Sequence, residues 1–353
     1  MAKANKAQEF LAEAGKEDQA RKELERDRRE AQRKVESSEL QKKYKLALQE
    51  IETLSHRCDF LAAIQTDRDR KLFDNLTEGK GGGSTAILCL SDWHSGEFVD
   101  PAVVNDINTF DIEIAQRRIT RAFQKGLQLI QRLQSFADVH FLVVWLGGDL
   151  MTGFIHDDLV QSNTMSPVEE SLFVQDMVCT GLDTILKEKQ LKHIRVLTNH
   201  GNHGRTTPDR LVSTSYRNSY EWGIYHSVAR HYRNNSRIAF KIENGIHNWA
   251  QIQGQNVRFH HGDSIRYAGG VGGITIPVEK KIASWNKSKR ADLDVFGHYH
   301  QFVDHYRWVC NASLIGHTAY AISIGAEPQP PSQTLIVVSR EYGKVMAIPI
   351  FCE

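Results

Sequence analysis

Residues 141–153 read FLVVWLGGDLMTG. The unbroken apolar run at 141–146 has the pattern of a strand buried on both faces, because a strand with one wet face would alternate. It stops at Gly147-Gly148, and the first charged residue after it is Asp149. The same order, an apolar run closed by polar side chains and glycine, recurs on either side. Upstream, AILCLS (86–91) leads into Asp92-Trp93-His94. Downstream, IRVLTN (194–199) leads into His200-Gly201-Asn202-His203, and 256–259 into His260-His261-Gly262-Asp263. Residues 292–296 lead into Gly297-His298-Tyr299-His300.

Helical spacing fills 111–134 and 167–188, and a further helix is expected over 218–234. Strands are expected near 237–243, 248–253 and 256–261, then, after a Gly-rich loop and a helix, near 292–296, 306–311, 333–339 and 344–350. The early β-α-β alternation predicts a parallel sheet, and the strand-rich second half predicts another sheet, so the class is α/β. In such sheets the loops at the C-terminal strand ends converge on one crevice. Asp, Asn and His offer oxygen and imidazole donors suited to divalent ions. In an extended segment, residues two apart face the same way, which would pair Asp92 with His94 and His298 with His300 while Trp93 and Tyr299 point away. Glycines beside the clusters let the backbone turn sharply. DxH or GD alone is weak, GNH is moderately specific, and GHxH alone fits a pair of loop histidines. What carries the reading is the ordered series DxH, GD, GNH, HG and GHxH, each after a strand.

Residues 1–78 have a different composition, rich in Ala, Glu, Lys, Arg and Gln, with no proline and Gly15 as the single glycine. Leu40, Tyr44, Ala47, Ile51, Leu54, Cys58 and Leu61 alternate spacings of four and three, a coiled-coil seam. The segment is expected to be an oligomerisation stalk making a homo-oligomer, or else one amphipathic helix folded back on the rest. Residues 79–84, GKGGGS, read as a flexible linker, so the catalytic domain is placed at 85–353. Net charge is +1, so any nucleic-acid contact must come from a local patch. The 5 scattered cysteines contain no CxxC pair and read as reduced thiols. No secretory h-region and no run of roughly 20 apolar residues occurs, so no membrane contact is expected and the location read is cytoplasmic.

Taken as a set, these motifs resemble the calcineurin-like metallophosphoesterase superfamily over roughly residues 86–350. The resemblance implies two packed mixed β-sheets flanked by helices, a four-layer sandwich. It implies two divalent ions, manganese foremost with zinc or magnesium as alternatives. Asp92, His94 and His300 would bind the first ion; Asn202, His261 and His298 the second; Asp149 would bridge both. His261 is preferred to His260 because the family's ligand directly precedes the glycine. His203 would be the general acid, and a metal-bridging hydroxide the nucleophile attacking phosphorus in line with the leaving oxygen. The Ser/Thr protein phosphatase pattern GDxVDRG with GNHE is absent, since this chain has GDLMTG and GNHG. The tyrosine that would hold ferric iron is replaced by Thr152, which favours redox-silent ions.

The remaining pattern resembles the nuclease side, including SbcD-like exonucleases and related phage-encoded enzymes; a phage-encoded enzyme would work in the host cytoplasm. GDLMTGFIHDD places His156 where it would touch substrate, or where it is only a loop histidine. Arg205, directly after GNHG, would clamp phosphate or hold its own loop. Residues 264–273, SIRYAGGVGG, followed by Lys280, Lys281, Lys287, Lys289 and Arg290, would track a DNA backbone, or are a loop and a solvated helix face. The expected function is a dinuclear metal-dependent phosphodiesterase, a DNA nuclease. The alternatives are a phosphoesterase for cyclic or mononucleotides and a non-catalytic interaction module on the same fold.

Overall fold

The computed structural model describes residues 83–267 and 272–353, together with Arg26, Lys43 and Lys45. The coiled-coil seam, most of the 79–84 linker and the 268–271 part of the Gly-rich loop lie outside the described residues. The chain divides into two units, Met1–Thr66 and Asp67–Glu353, and the sheets and helices below all belong to the second. In chain order these are β1 (Ser84–Leu90), α1 (Ile112–Gln134), β2 (Phe141–Leu146), the short α2 (Asp157–Ser162), α3 (Pro167–Leu186), β3 (His193–Thr198), α4 (Tyr220–His231) and β4 (Ile238–Ile242). There follow β5 (Asn248–Ile252), β6 (Gln255–Phe259), α5 (Thr275–Trp285), β7 (Leu293–Phe296), β8 (Val303–His305), β9 (Trp308–Cys310), α6 (Ala319–Ser323), β10 (Ser332–Ser339) and β11 (Gly343–Phe351).

Local chemistry sets the long helices. Asp111 caps α1 by accepting from the Ile114 amide, and Ser166 with Glu169 forms a capping box ahead of α3. The strands form two mixed sheets, a six-stranded one in the order β11-β10-β1-β2-β3-β4 and a five-stranded one in the order β5-β6-β7-β9-β8. In the first, β1 to β4 are parallel and β10 runs antiparallel to β1. In the second, β6, β7 and β9 are parallel.

Period-2 alternation decides which face meets which layer. From β1 and β2, Ala86, Leu88, Leu90, Leu142, Val144 and Leu146 turn towards α1, α3 and α4. Ile87, Cys89, Val143 and Trp145 turn the other way, onto Val257, Phe259, Leu293 and Val295 of the second sheet. The outer face of that sheet, Phe296, Trp308 and Cys310, is covered by Val278 and Ile282 of α5. The architecture is therefore the expected four-layer sandwich. Each large apolar side chain withdrawn from water contributes about 1.5–3 kcal/mol.

Register positions the site. Leu90 lies opposite Leu146, and Leu146 opposite Thr198, so β1, β2 and β3 end level. The loops carrying Asp92, Asp149 and Asn202 start from one edge. The strand expected near 306–311 is β9, and it pairs with an unexpected β8 in a hairpin that turns at Tyr306-Arg307. β8 is a three-residue edge strand with no apolar run, which is why it leaves no trace in the sequence. Among the described residues, no helix is long and apolar enough to cross a membrane.

Candidate metal centre

The level strand ends bring the expected donors together. Asp92, His94 and His300 form one trio and Asp149, His261 and His298 another, with the ligand atoms of each within 4.8 Å of one another. His94 Nε2 and His300 Nε2 are 3.1 Å apart, and His300 Nε2 lies 3.6 Å from Asp92 Oδ1. His261 Nε2 lies 2.8 Å from Asp149 Oδ2 and 3.2 Å from Asn202 Oδ1. Its other nitrogen, Nδ1, is 2.9 Å from the Gly147 carbonyl, the contact that aims Nε2 at the carboxylate. His260, the rejected neighbour, turns away, stacks on Phe296 and sits 3.6 Å from Asp294.

The backbone route to this convergence differs from the extended one expected. Asp92 (φ 55°), His94 (φ 47°), Asp149 (φ 51°), His298 (φ 72°) and His300 (φ 56°) all adopt the left-handed region. Such a conformation costs a side-chain-bearing residue about 1–3 kcal/mol. The donors share a side because the chain bends at each of them, not because it is extended. Trp93 and Tyr299 do point away: Trp93 Nε1 donates to Gln333 Oε1, and the Tyr299 hydroxyl donates to the Ile265 carbonyl. Glycine is required where loops touch. A Cβ on Gly201 would stand 2.0 Å from Asp149 Oδ1, and one on Gly297 2.1 Å from Asp92 Oδ2.

The donor set suits divalent cations. Burial drives His94 well below the ordinary 6.5, His298 down to about 4 and His300 down to about 3. All three are neutral imidazoles with a lone pair to give. Burial also pushes Asp92 up to about 7, against the pull of His261. Between Asp149 and His261, burial opposes ionisation of both, yet their contact keeps Asp149 well below the carboxylate range and His261 well above 6.5. The two carboxylates call for positive charge at this point, and a divalent cation would take the His261 lone pair in place of a proton.

His203 forms a third trio with His94 and Asp149, one member from each of the other two. Its amide donates to Asp149 Oδ1 at 2.7 Å, its ring meets His94 edge-on, and its Nδ1 lies 3.0 Å from the Thr152 carbonyl. Burial lowers its pKa, with Asp149 pulling the other way. Of the two roles expected for Arg205, the loop-holding one has its partners in place. Its guanidinium donates to the carbonyls of Asn202, Thr207 and Pro208. His156 is exposed just ahead of α2 and makes no capping bond, although its charge bears on His203. Beside Asn202 and His261 opens a cleft lined by His200, Leu211, Val212 and Ser215. Arg210 spans it through an ion pair of 2.7 Å to Asp263.

Several buried polar residues that sequence reading passed over hold these loops. A chain of hydrogen bonds runs from the Thr334 hydroxyl to Asn311, from Asn311 to Ser91 Oγ, and from the Ser91 hydroxyl to Asp92 Oδ2 at 2.5 Å. Gln333 accepts from the Ser91 amide and donates to the carbonyls of Ser91 and Ala312. Glu221 accepts from the amides of Leu150 and Gly201, each at 2.7 Å. Burial pushes Glu221 up to about 8, but a protonated carboxyl would set its O–H against one of those amides, so the two bonds favour the ionised form. Glu170 accepts from the amides of Gly96, Thr152 and Gly153.

No family model matches the chain, and no curated protein matches it in sequence. Solved structures to which it is similar include a conserved uncharacterized protein of Streptococcus pneumoniae described as a predicted phosphoesterase, at 10% identity and a TM-score of 0.28, covering 76% of this chain and 98% of that one. Vps29 of Entamoeba histolytica complexed with zinc is similar at 9% identity and a TM-score of 0.29, covering 75% of this chain and 99% of that one. A putative 5'-nucleotidase of Staphylococcus aureus is similar at 10% identity and a TM-score of 0.32, covering 76% of this chain and 55% of that one. Likenesses this distant carry no argument about activity.

Proposed function

We propose that this chain is a metal-dependent phosphoesterase that holds two divalent ions, manganese foremost, and hydrolyses phosphodiesters, with DNA as the substrate class. The observation that carries this reading is the position of Asp149. Its carboxylate touches the His261 trio, its loop backbone receives the His94 amide at 3.1 Å, and it lies within ligand distance of both His94 and His203. When bound, a pair of such ions polarises phosphoryl oxygens and makes hydroxide available near neutral pH.

The chain's own residues do the rest. Asp92 is oriented by Ser91 and by the His298 amide, so its carboxylate is set before any ligand arrives. His203 Nδ1 donates to the Thr152 carbonyl, so Nε2 hands a proton to the leaving oxygen from the imidazolium form, which the Asp149 charge favours against burial. The cations Lys280, Lys281, Lys287, Lys289 and Arg290, on α5 and directly after it, would supply the positive charge for a polyanion. A second reading, a small-molecule phosphoesterase for cyclic or mononucleotides, is favoured by the cleft that Arg210 and Asp263 span beside Asn202.

A panel of single-stranded DNA, duplex DNA, cyclic nucleotides and bis-p-nitrophenyl phosphate, each with manganese, separates the readings. DNA and the diester probe are expected to be cleaved. Turnover of the small esters alone would replace the nuclease reading with the second one. No turnover of any ester would leave a non-catalytic module.

A further inference from the structure

Glu170 and Glu221 are buried carboxylates that no step of the proposed chemistry uses. Each lies on the inward stripe of its helix. In α4 the buried positions are Glu221, Ile224, Tyr225 and Val228; in α3 they are Glu170, Val174, Met177, Val178, Gly181, Leu182 and Ile185. A charge in such a stripe is costly unless its oxygens are fully answered. Backbone amides answer both, and all of those amides belong to the loops that carry the donors.

The amides are not a random set. Glu221 takes the N–H of Leu150, directly after Asp149, and the N–H of Gly201, directly before Asn202. Gly204 lets the stem pass close, since a Cβ there would meet Glu221 Cγ at 2.9 Å. Glu170 takes the N–H of Thr152 at 2.5 Å, that of Gly153 at 3.0 Å and that of Gly96 at 2.8 Å, two residues after His94. Thr152 also offers the carbonyl that holds His203. The Asp149 loop is thus gripped twice. One grip joins it to the Asn202 side, the other to the Asp92–His94 side.

We propose that Glu221 and Glu170 are positioning residues, each setting one ion position relative to the shared Asp149: Glu221 the one bounded by Asn202, His261 and His298, Glu170 the one bounded by Asp92, His94 and His300. This rests on reading the two trios as a metal centre. It goes beyond that reading because it predicts an asymmetry. Amide substitution keeps the shape of either side chain but turns an N–H₂ towards a backbone N–H. Groups behind metal ligands typically change affinity 10–100-fold.

The test is calorimetric titration of manganese into the full chain and into its Glu221→Gln and Glu170→Gln variants. Anomalous scattering at limiting manganese assigns each affinity to a position. Glu221→Gln is expected to weaken the Asn202–His261–His298 position about 10–100-fold and leave the other near its original affinity, and Glu170→Gln is expected to do the reverse. Leu88→Ala, in the core away from the site, is expected to lower the melting temperature and leave both affinities unchanged. Unchanged affinities in the glutamine variants overturn the assignment. So does a uniform loss at both positions that follows the melting temperature, which is the mark of a merely structural role. If one variant fails to fold the other carries the test, and failure of both assigns the residues to folding alone. Absence of manganese binding in the unaltered chain would defeat the metal-centre reading itself and this inference with it.

Discussion

Within β2, Leu142, Val144 and Leu146 face the helices while Val143 and Trp145 face the second sheet, and every one of them is held by apolar packing. Three residues after the strand ends, at Asp149, the backbone is left-handed, the carboxylate is buried, and a Cβ on Gly148 or Gly201 would stand 2.3 Å or 2.0 Å from the facing loop. The strand needs hydrophobic side chains of about the right volume in the right alternation. The loop needs particular atoms at particular places, and it holds a strained conformation because Glu221 and Glu170 answer its amides, as Gln333 and the Ser91–Asn311–Thr334 chain answer the polar groups of the Asp92 loop. Stability and chemistry are therefore lodged in adjacent stretches of the same strands, and substitution should separate them.

The largest effect is expected at the loop's shared carboxylate. Asp149→Ala should reduce bound manganese from two ions per chain to none and bring hydrolysis to the background rate, with the fold retained by circular dichroism. Retention of one tightly held ion would show that the two positions do not share Asp149. Next in size is His203→Ala. Two ions should still bind, while kcat on a diester with a poor leaving group falls about 10²–10⁴-fold, the usual contribution of general acid–base catalysis. A wild-type kcat would remove the general-acid role.

The strand side of the comparison is broken by Leu88→Ala. It opens a cavity in the helix-facing core and should cost about 2–5 kcal/mol in urea denaturation, with kcat and ion number unchanged. The smallest effect concerns His226 and His247, both held down to about 4 by burial and both away from the donors. In the unfolded chain they titrate near 6.5, so there they bind protons that the folded chain refuses. Their contribution to stability is fully present above that pH and declines as pH falls from about 6.5 towards 4. Urea midpoints of the metal-free protein should drop across that window. His94, His298 and His300 add to the same decline, so His226→Gln together with His247→Gln should reduce its slope without abolishing it, and an unaltered slope would place its origin elsewhere.

This division also explains what could be read from the sequence. The strands and the gathering of the candidate donors were legible because a period of two and a strand-end position are properties of short segments. The choice of His261 over His260 rested on the adjoining Gly262, and the structure turns those two rings to opposite sides. The backbone of Asp92 and His94 was not legible, since the spacing of two fits an extended segment as well as a left-handed bend. Arg205 beside GNHG gave no hint that three loop carbonyls occupy its guanidinium. Glu170 and Glu221 did leave a signal that went unread. An acidic residue in the first turn passes for a partner of the helix dipole, but these two continue the apolar stripes of α3 and α4 at helical spacing. Glu169, one position from Glu170, is the exposed member of the capping box. A rotation of about 100° along the helix separates a cap from a buried staple.

The account depends most on two cations meeting at Asp149, and anomalous scattering from crystals grown with manganese tests that directly. The prediction is two peaks per chain, one among Asp92, His94 and His300 and one among Asn202, His261 and His298, with the Asp149 carboxylate between them. An empty cluster under saturating manganese, or ions bound only elsewhere on the chain, would contradict it.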